Sequence, residues 1–188
     1  MPRRFVLTGA PGSGKTALLL TLRDRGHHVV AEAATDVIAA EQAKGVDAPW
    51  ERGDFIDLVV ALQRRRQLQP VPAGTVEQVF DRSPMCTLAL AQYQHRSVSP
   101  LLAAEVERVV MAQVYQKQVL FVRPLGFVEP TAARRISYRD ALAFEAVHEQ
   151  VYRDHGFTLV DLAPGDVLSR ADEVEARLRA VATPADLP

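Results

Sequence analysis

The chain has a single cysteine, Cys86, in 188 residues. No disulfide can form within it, and the thiol reads as a small reduced core residue. Nor is there an excess of charge: 22 Lys and Arg stand against 23 Asp and Glu, a net charge of −1. That balance excludes a general nucleic-acid binder or a polybasic membrane binder, while leaving room for a local basic patch. No apolar run reaches the roughly 20 residues of a membrane span. The apolar stretch after Arg3 and Arg4 is too short for a signal peptide and runs into glycines. His27, His28, His95, His148 and His155 have no metal-ligand spacing, so no zinc site is expected; His148, on an apolar helix face, reads as a core-edge residue. There is no internal repeat. What remains is one domain's length of chain, enough to bury roughly 70% of its unfolded surface without a metal or disulfide. A cytoplasmic protein is expected, with its oligomeric state open.

What the chain does have is alternation. Apolar runs at 4–8, 29–31, 75–80, 119–122 and 157–160 read as strands, and between them lie helical periodicities. Leu18, Leu19 and Leu22 share a face in a helix over 15–25 that Gly26 can close. Further helices are predicted over 36–43 and from Phe55 to Gln69. Ser83-Pro84 and Ser99-Pro100 each read as an N-cap with a first-turn proline. The helix after Ser99 carries Leu102, Val106, Val109, Val110 and Val114. Asp166 is predicted to cap the last helix, with Ala171, Val174, Leu178 and Val181 on its seam and a frayed tail at 183–188. Strands alternating with helices predict an α/β fold: a parallel five-stranded sheet with helices on both faces, in one domain over 1–188. Ligands in such sheets bind beyond the carboxyl ends of the strands, so the polar residues just after each strand are the candidates for chemistry.

The first such place is GAPGSGKT, residues 9–16. Gly9, Ala10, Pro11, Gly12, Ser13, Gly14, Lys15 and Thr16 satisfy the G-x-x-x-x-G-K-[ST] pattern, with Ala17 following on the helix. Glycines there let backbone N–H groups converge on phosphate oxygens, and the helix start adds its positive end. Lys15 is the expected partner of the terminal phosphates of ATP, and Thr16 an expected ligand of Mg²⁺. Glu32, after the second strand, fits a general base for a substrate hydroxyl; it also fits an exposed charge at a helix start. Asp81, ending the third strand candidate, fits a second Mg²⁺ ligand, and Arg82 beside it fits a phosphoryl-binding guanidinium. Asp81 fits equally an assistant to Ser83 in capping the next helix. Glu77 and Gln78 make that strand more polar than is usual for a metal-binding strand.

The connection over 123–139 carries Arg134, Arg135 and Arg139 and reads as a lid over bound phosphates. In Arg64-Arg65-Arg66, consecutive side chains point about 100° apart on a helix, so one of them, or Gln63, could reach an acceptor while the rest are solvated. Ala163-Pro164-Gly165 occupies the place where a loop could pack on a purine ring.

With these residues in view, the chain resembles small AAA-type P-loop proteins with a NadR-like domain, similar to the ribosylnicotinamide kinase part of that regulator. The resemblance runs through FVLTGAPGSGKTALLLTLRDRGHHVVAEAATDVI, VFDRS, Arg134 and YRDHGFTLVDL. It implies a P-loop NTPase three-layer sandwich that binds ATP, or GTP in some members, with Mg²⁺. The order of motifs is also similar to deoxynucleoside and thymidylate kinases. That similarity implies Glu32 as base and Asp81-Arg82-Ser83 in place of a Glu-Arg-Ser signature. Thymidylate-kinase-like lids often place an Asp three residues before the lid arginine; here Thr131 stands there. Lys15, Glu32, Asp81, Arg82 and Arg134 are the expected catalytic set, with a nucleoside triphosphate and a small-molecule acceptor as ligands. Two activities stay open: transfer of the γ-phosphate of ATP to a nucleoside-like or other hydroxyl-bearing metabolite, or a regulatory ATPase or GTPase-type switch with no acceptor.

Overall fold

The computed structural model describes residues 1–126 and 137–180. Five strands run through these residues: β1 (Arg3–Thr8), β2 (His28–Val30), β3 (Glu77–Asp81), β4 (Gln118–Val122) and β5 (Thr158–Leu162). They form one sheet in the order β2-β3-β1-β4-β5, and each neighbouring pair is parallel. The helices are α1 (Lys15–Asp24), α2 (Ala33–Gln42), α3 (Phe55–Leu68), α4 (Pro84–Tyr93), α5 (Pro100–Met111), α6 (Tyr138–Asp154) and α7 (Val167–Ala180).

Strand side chains alternate between the sheet's two faces. Phe5, Leu7, Val79, Leu120 and Val122 pack with Leu18, Leu19 and Leu22 of α1 and with Ala171, Val174 and Leu178 of α7. Val6, Phe80 and Val119 face the other way, into a core built with α2 to α6. The result is the predicted three-layer sandwich. Strand ends fall within a couple of residues of the apolar runs.

The polar start of β3 has a local cause. Arg3 and Arg4 of β1 lie opposite Glu77 and Gln78 in the register. An Arg3–Glu77 ion pair at 3.0 Å and an Arg4 Nε donation to Gln78 Oε1 at 3.1 Å satisfy both. The polarity therefore belongs to the far end of the strand, away from Asp81.

Local expectations differ from the structure in three places. α2 begins at Ala33, with Glu32 in the N-cap position, rather than near Asp36. α5 stops at Met111, so Val114 lies beyond the helix; left-handed Gln113 closes it, and the Val114 N–H bonds to the Val109 carbonyl at 3.0 Å. Ser83 stands at the N-cap position of α4, but its hydroxyl makes no capping bond and meets the Tyr152 hydroxyl at 2.7 Å. Ser99 does cap, accepting from the Leu102 N–H at 3.1 Å, and Asp166 accepts from the N–H groups of Leu168 and Ser169.

Because the sheet is parallel, every strand delivers its carboxyl end to one edge. β1 ends in the glycine loop, and Gly9 makes its closest approach to β4. A Cβ built on Gly9 would lie 2.3 Å from the Val122 carbonyl oxygen, at a φ of +146°. Gly9→Ala is accordingly expected to destabilise the fold by about 3 kcal/mol or more, read as a shift in the urea midpoint. An unchanged midpoint would mean that β4 yields at this contact.

Candidate functional site

The phosphate loop is built as its sequence requires. Gly14, in the left-handed region at φ 81°, closes the loop as the N-cap of α1, and Lys15 starts the helix. Ala10, Ser13 and Lys15 are buried, while Thr16 and Ala17 are exposed at the first turn. The Lys15 Nζ donates to the Ala10 carbonyl at 3.2 Å and lies 3.5 Å from Ser13 Oγ. Burial, followed by the Arg82 cation, depresses the Lys15 pKa to about 7, against the opposing pull of Asp81 and Glu32. A triphosphate brought to such a lysine restores its charged form. Binding at pH 8 is expected to take up most of a proton, and at pH 6 almost none. Calorimetry in two buffers of different ionisation enthalpy measures this; no uptake at pH 8 would mean that Lys15 is charged without nucleotide.

β3 neighbours β1, with Asp81 opposite Leu7, so this carboxylate stands beside the phosphate loop. Asp81 Oδ1 is buried without a hydrogen-bond partner among the described residues. Burial and the nearby Glu32 charge push its pKa up to about 6, with Lys15 and Arg82 pulling the other way. A role in capping α4 is therefore not what occupies it. Arg82 has a left-handed backbone, φ 70°, a conformation costing roughly 1–3 kcal/mol outside glycine. Its amide donates to the Leu7 carbonyl at 3.1 Å. Its Nε meets Glu32 Oε1 at 2.6 Å, and Nη1 lies 3.4 Å from His148 Nε2. Burial opposes the charge on Arg82, but Glu32 outweighs it and holds the guanidinium firmly protonated.

Glu32 keeps 29% of its side chain exposed, and its Oε2 accepts from the Thr35 hydroxyl at 2.8 Å. Burial would raise its pKa; Arg82, Lys15 and that hydroxyl together hold it below the ordinary range. Arg66 braces the turn, donating to the Ala31 carbonyl at 2.8 Å and pairing with Asp36. Of the arginine run, then, Arg66 supports the segment carrying Glu32. Arg64 lies 3.8 Å from Glu105 and Arg65 is exposed.

Two spaces meet at the Glu32–Arg82 pair. One is a cleft of about 570 Å³ that includes Pro11, Thr16 and Asp81 in its lining. The other is a smaller chamber of about 160 Å³, reaching Gln63, Thr87, Leu90 and Phe144. Glu32, Ala34 and Arg82 line both.

Other expected residues lie apart or outside. Arg134 and Arg135, and with them most of the lid, fall outside the described residues. Arg139 is exposed at the start of α6. Arg123, where the lid segment begins, is engaged by Glu145 at 2.8 Å, by Asp161 at 2.8 Å and by Glu149. Ala163-Pro164-Gly165 forms an exposed turn before α7.

Two participants, Arg170 and Tyr152, escaped the sequence reading, and a third, His148, reads there only as a core-edge residue. Arg170, only 5% exposed, donates from Nη1 to the Ser13 carbonyl at 2.9 Å and from Nη2 to the Arg123 carbonyl at 3.3 Å. It ties the start of α7 to the phosphate loop. His148 is wholly buried, more than a core-edge position, and burial with the Arg82 and Lys15 cations keeps its pKa well below the usual value. Tyr152 bridges Ser83 and Cys86 (Oη to Sγ 3.1 Å), and Cys86 reaches the Thr8 hydroxyl at 3.1 Å. That chain couples the end of β1 to the start of α4. Burial of helix polar residues is a sequence signal only when the partner strand is known, which explains why these were missed.

Residues 4–170 match a family model described as an AAA domain. No protein of curated function matches the sequence. Among solved structures, the chain is similar to deoxyadenosine kinase from M. mycoides with bound dCTP: TM-score 0.60, 12% identity, covering 95% of this chain and 100% of that one. It is also similar to shikimate kinase from Acinetobacter baumannii in complex with shikimate, at TM-score 0.57 and 10% identity, covering 96% of this chain and 94% of that one. At these identities the likeness is one of fold.

Proposed function

We propose that this chain, which belongs to the AAA domain family, is an ATP-dependent kinase of a small hydroxyl-bearing molecule. The observation that carries the reading is the position of the Glu32–Arg82 pair, at the junction between the phosphate-side cleft and a small, largely apolar chamber. A hydroxyl entering from the chamber meets a carboxylate on one side and a phosphate cleft on the other. Solved structures of similar fold are kinases of small molecules, one of them holding shikimate.

In this reading the triphosphate lies on residues 9–17, with Lys15 against the terminal phosphates. Thr16 and Asp81 are hard oxygen donors suited to Mg²⁺, and the orphaned Asp81 Oδ1 fits that role. When bound, the cation would neutralise phosphate charge. The acceptor oxygen attacks the γ-phosphorus while its proton passes to Glu32. The new P–O bond forms as the bond to the β,γ-bridging oxygen breaks, and ADP leaves. Arg82 moves from Glu32 toward the transferring group, which both frees the base and balances the developing charge. Arg134 would join from the lid, and Ala163-Pro164-Gly165 would pack on the purine.

A nucleotide switch without an acceptor leaves the chamber beyond Glu32 with no occupant, so the kinase reading is favoured. The test is ADP release from the ATP- and Mg²⁺-loaded protein across a panel of nucleosides, vitamins and sugars, with mass spectrometry of the product. Acceptor-stimulated release with a phosphorylated product supports it. A flat panel, with nucleotide-dependent binding of a partner instead, overturns it.

A further inference from the structure

We infer that Arg170 is a positioning residue for nucleotide binding: it holds the Ser13–Gly14 peptide so that the Gly14 N–H faces the polyphosphate. The inference rests on the nucleotide half of the kinase reading and deepens it.

The geometry of one peptide carries the argument. Arg170 Nη1 donates to the Ser13 carbonyl at 2.9 Å, drawing that oxygen toward α7. In a planar trans peptide the C=O and the following N–H point in opposite directions. A carbonyl held on the α7 side therefore turns the Gly14 N–H the other way, to the concave side where such loops cradle phosphates. The glycine also makes room for the guanidinium. A Cβ built on Gly14 would lie 3.2 Å from Arg170 Nη1 and 3.5 Å from Leu125 Cδ1.

The other arm of the guanidinium rests on the sheet. Arg170 Nη2 donates at 3.3 Å to the carbonyl of Arg123, just after β4. The Arg123 N–H in turn donates to the Leu162 carbonyl of β5 at 3.0 Å. The helix carrying Arg170 is fixed as well. Asp166 caps its start, and Ala171, Val174 and Leu178 pack with Leu18, Leu19 and Leu22 of α1. A rigid planar fork with one arm on such a support holds the loop peptide still with the other. Arginine also stays protonated in proteins, so a fixed positive charge stands behind the loop and adds to the field that draws a polyphosphate.

The test is calorimetry of ADP with Mg²⁺ on the full chain, comparing the parent with Arg170→Met and Arg170→Lys. Methionine keeps most of the stem and removes the donors and the charge; lysine keeps a charge and donors. Arg170→Met is expected to weaken ADP binding by about tenfold or more, and Arg170→Lys to recover most of that loss. In the ¹⁵N-labelled parent the Gly14 amide proton is expected to move downfield as ADP is added, and to move less in Arg170→Met. Parent-like ADP affinity in Arg170→Met overturns the inference. So does a loss in Arg170→Lys as large as in Arg170→Met, because shape rather than donation would then be the cause. Should Arg170→Met fail to fold, a Gly14 resonance that stays unmoved in the ADP-bound parent overturns it. Each of these outcomes leaves the kinase reading standing. A parent that binds neither ADP nor ATP overturns the kinase reading, and this inference with it.

Discussion

Lys15→Ala is expected to reduce turnover by roughly 10³-fold or more, with the fold intact. The side chain is 8% exposed and, among the described residues, its ammonium has only the Ala10 carbonyl and the Ser13 hydroxyl as close partners. No carboxylate of the described residues is in contact with it, so its charge is held at a cost that a triphosphate would relieve. Alanine removes the cation that meets the transferring phosphates and leaves the glycines in place. The sign of the stability effect follows from the pKa. Because burial lowers it from 10.5 to about 7, the penalty for charging Lys15 is full below pH 7 and fades as the pH rises toward 10.5. The variant should therefore match or exceed the parent's melting temperature at pH 6, and keep only part of that advantage at pH 9. Steady-state kinetics and a melting series at the two pH values check both halves. Turnover within threefold of the parent would remove Lys15 from the mechanism.

Glu32→Gln is expected to lower acceptor phosphorylation by about 10² to 10⁴-fold, while nucleotide affinity changes little. The amide cannot take the hydroxyl proton, yet it retains the shape of the side chain and can still accept from Thr35. Since Arg82, Lys15 and Thr35 hold the Glu32 pKa below the ordinary range despite burial, the carboxylate stays ionised throughout neutral and mildly acidic pH. Loss of activity between pH 7 and pH 6 in the parent would belong to another group. Separate measurement of nucleotide binding by calorimetry and of product by mass spectrometry distinguishes a lost base from a damaged nucleotide site. Equal transfer by the parent and Glu32→Gln would assign the proton to another acceptor.

The polarity of β3 illustrates what a linear reading holds and what it leaves out. Glu77 and Gln78 look out of place in a strand until Arg3 and Arg4 of β1 are set opposite them. The same register puts Asp81 level with Leu7, at the phosphate loop. A run such as Arg64-Arg65-Arg66 likewise divides only in three dimensions, one member bracing the Glu32 turn and another facing solvent.

The phosphate loop, the alternation of strands with helices, and the helix caps at Ser99 and Asp166 were determined by the sequence alone. Each depends on backbone conformation or on side chains within a few residues of one another, and short-range chemistry is written in order along the chain. The strand order β2-β3-β1, the Glu32–Arg82 pair, the Gln63–Thr87 bond in the chamber wall and the reach of Arg170 to the Ser13 carbonyl were decided by the tertiary structure. These join residues brought together by packing, where a side chain's partner depends on which helix covers which strand. Hydrophobic periodicity marks a buried face, but says nothing of what lies across from it.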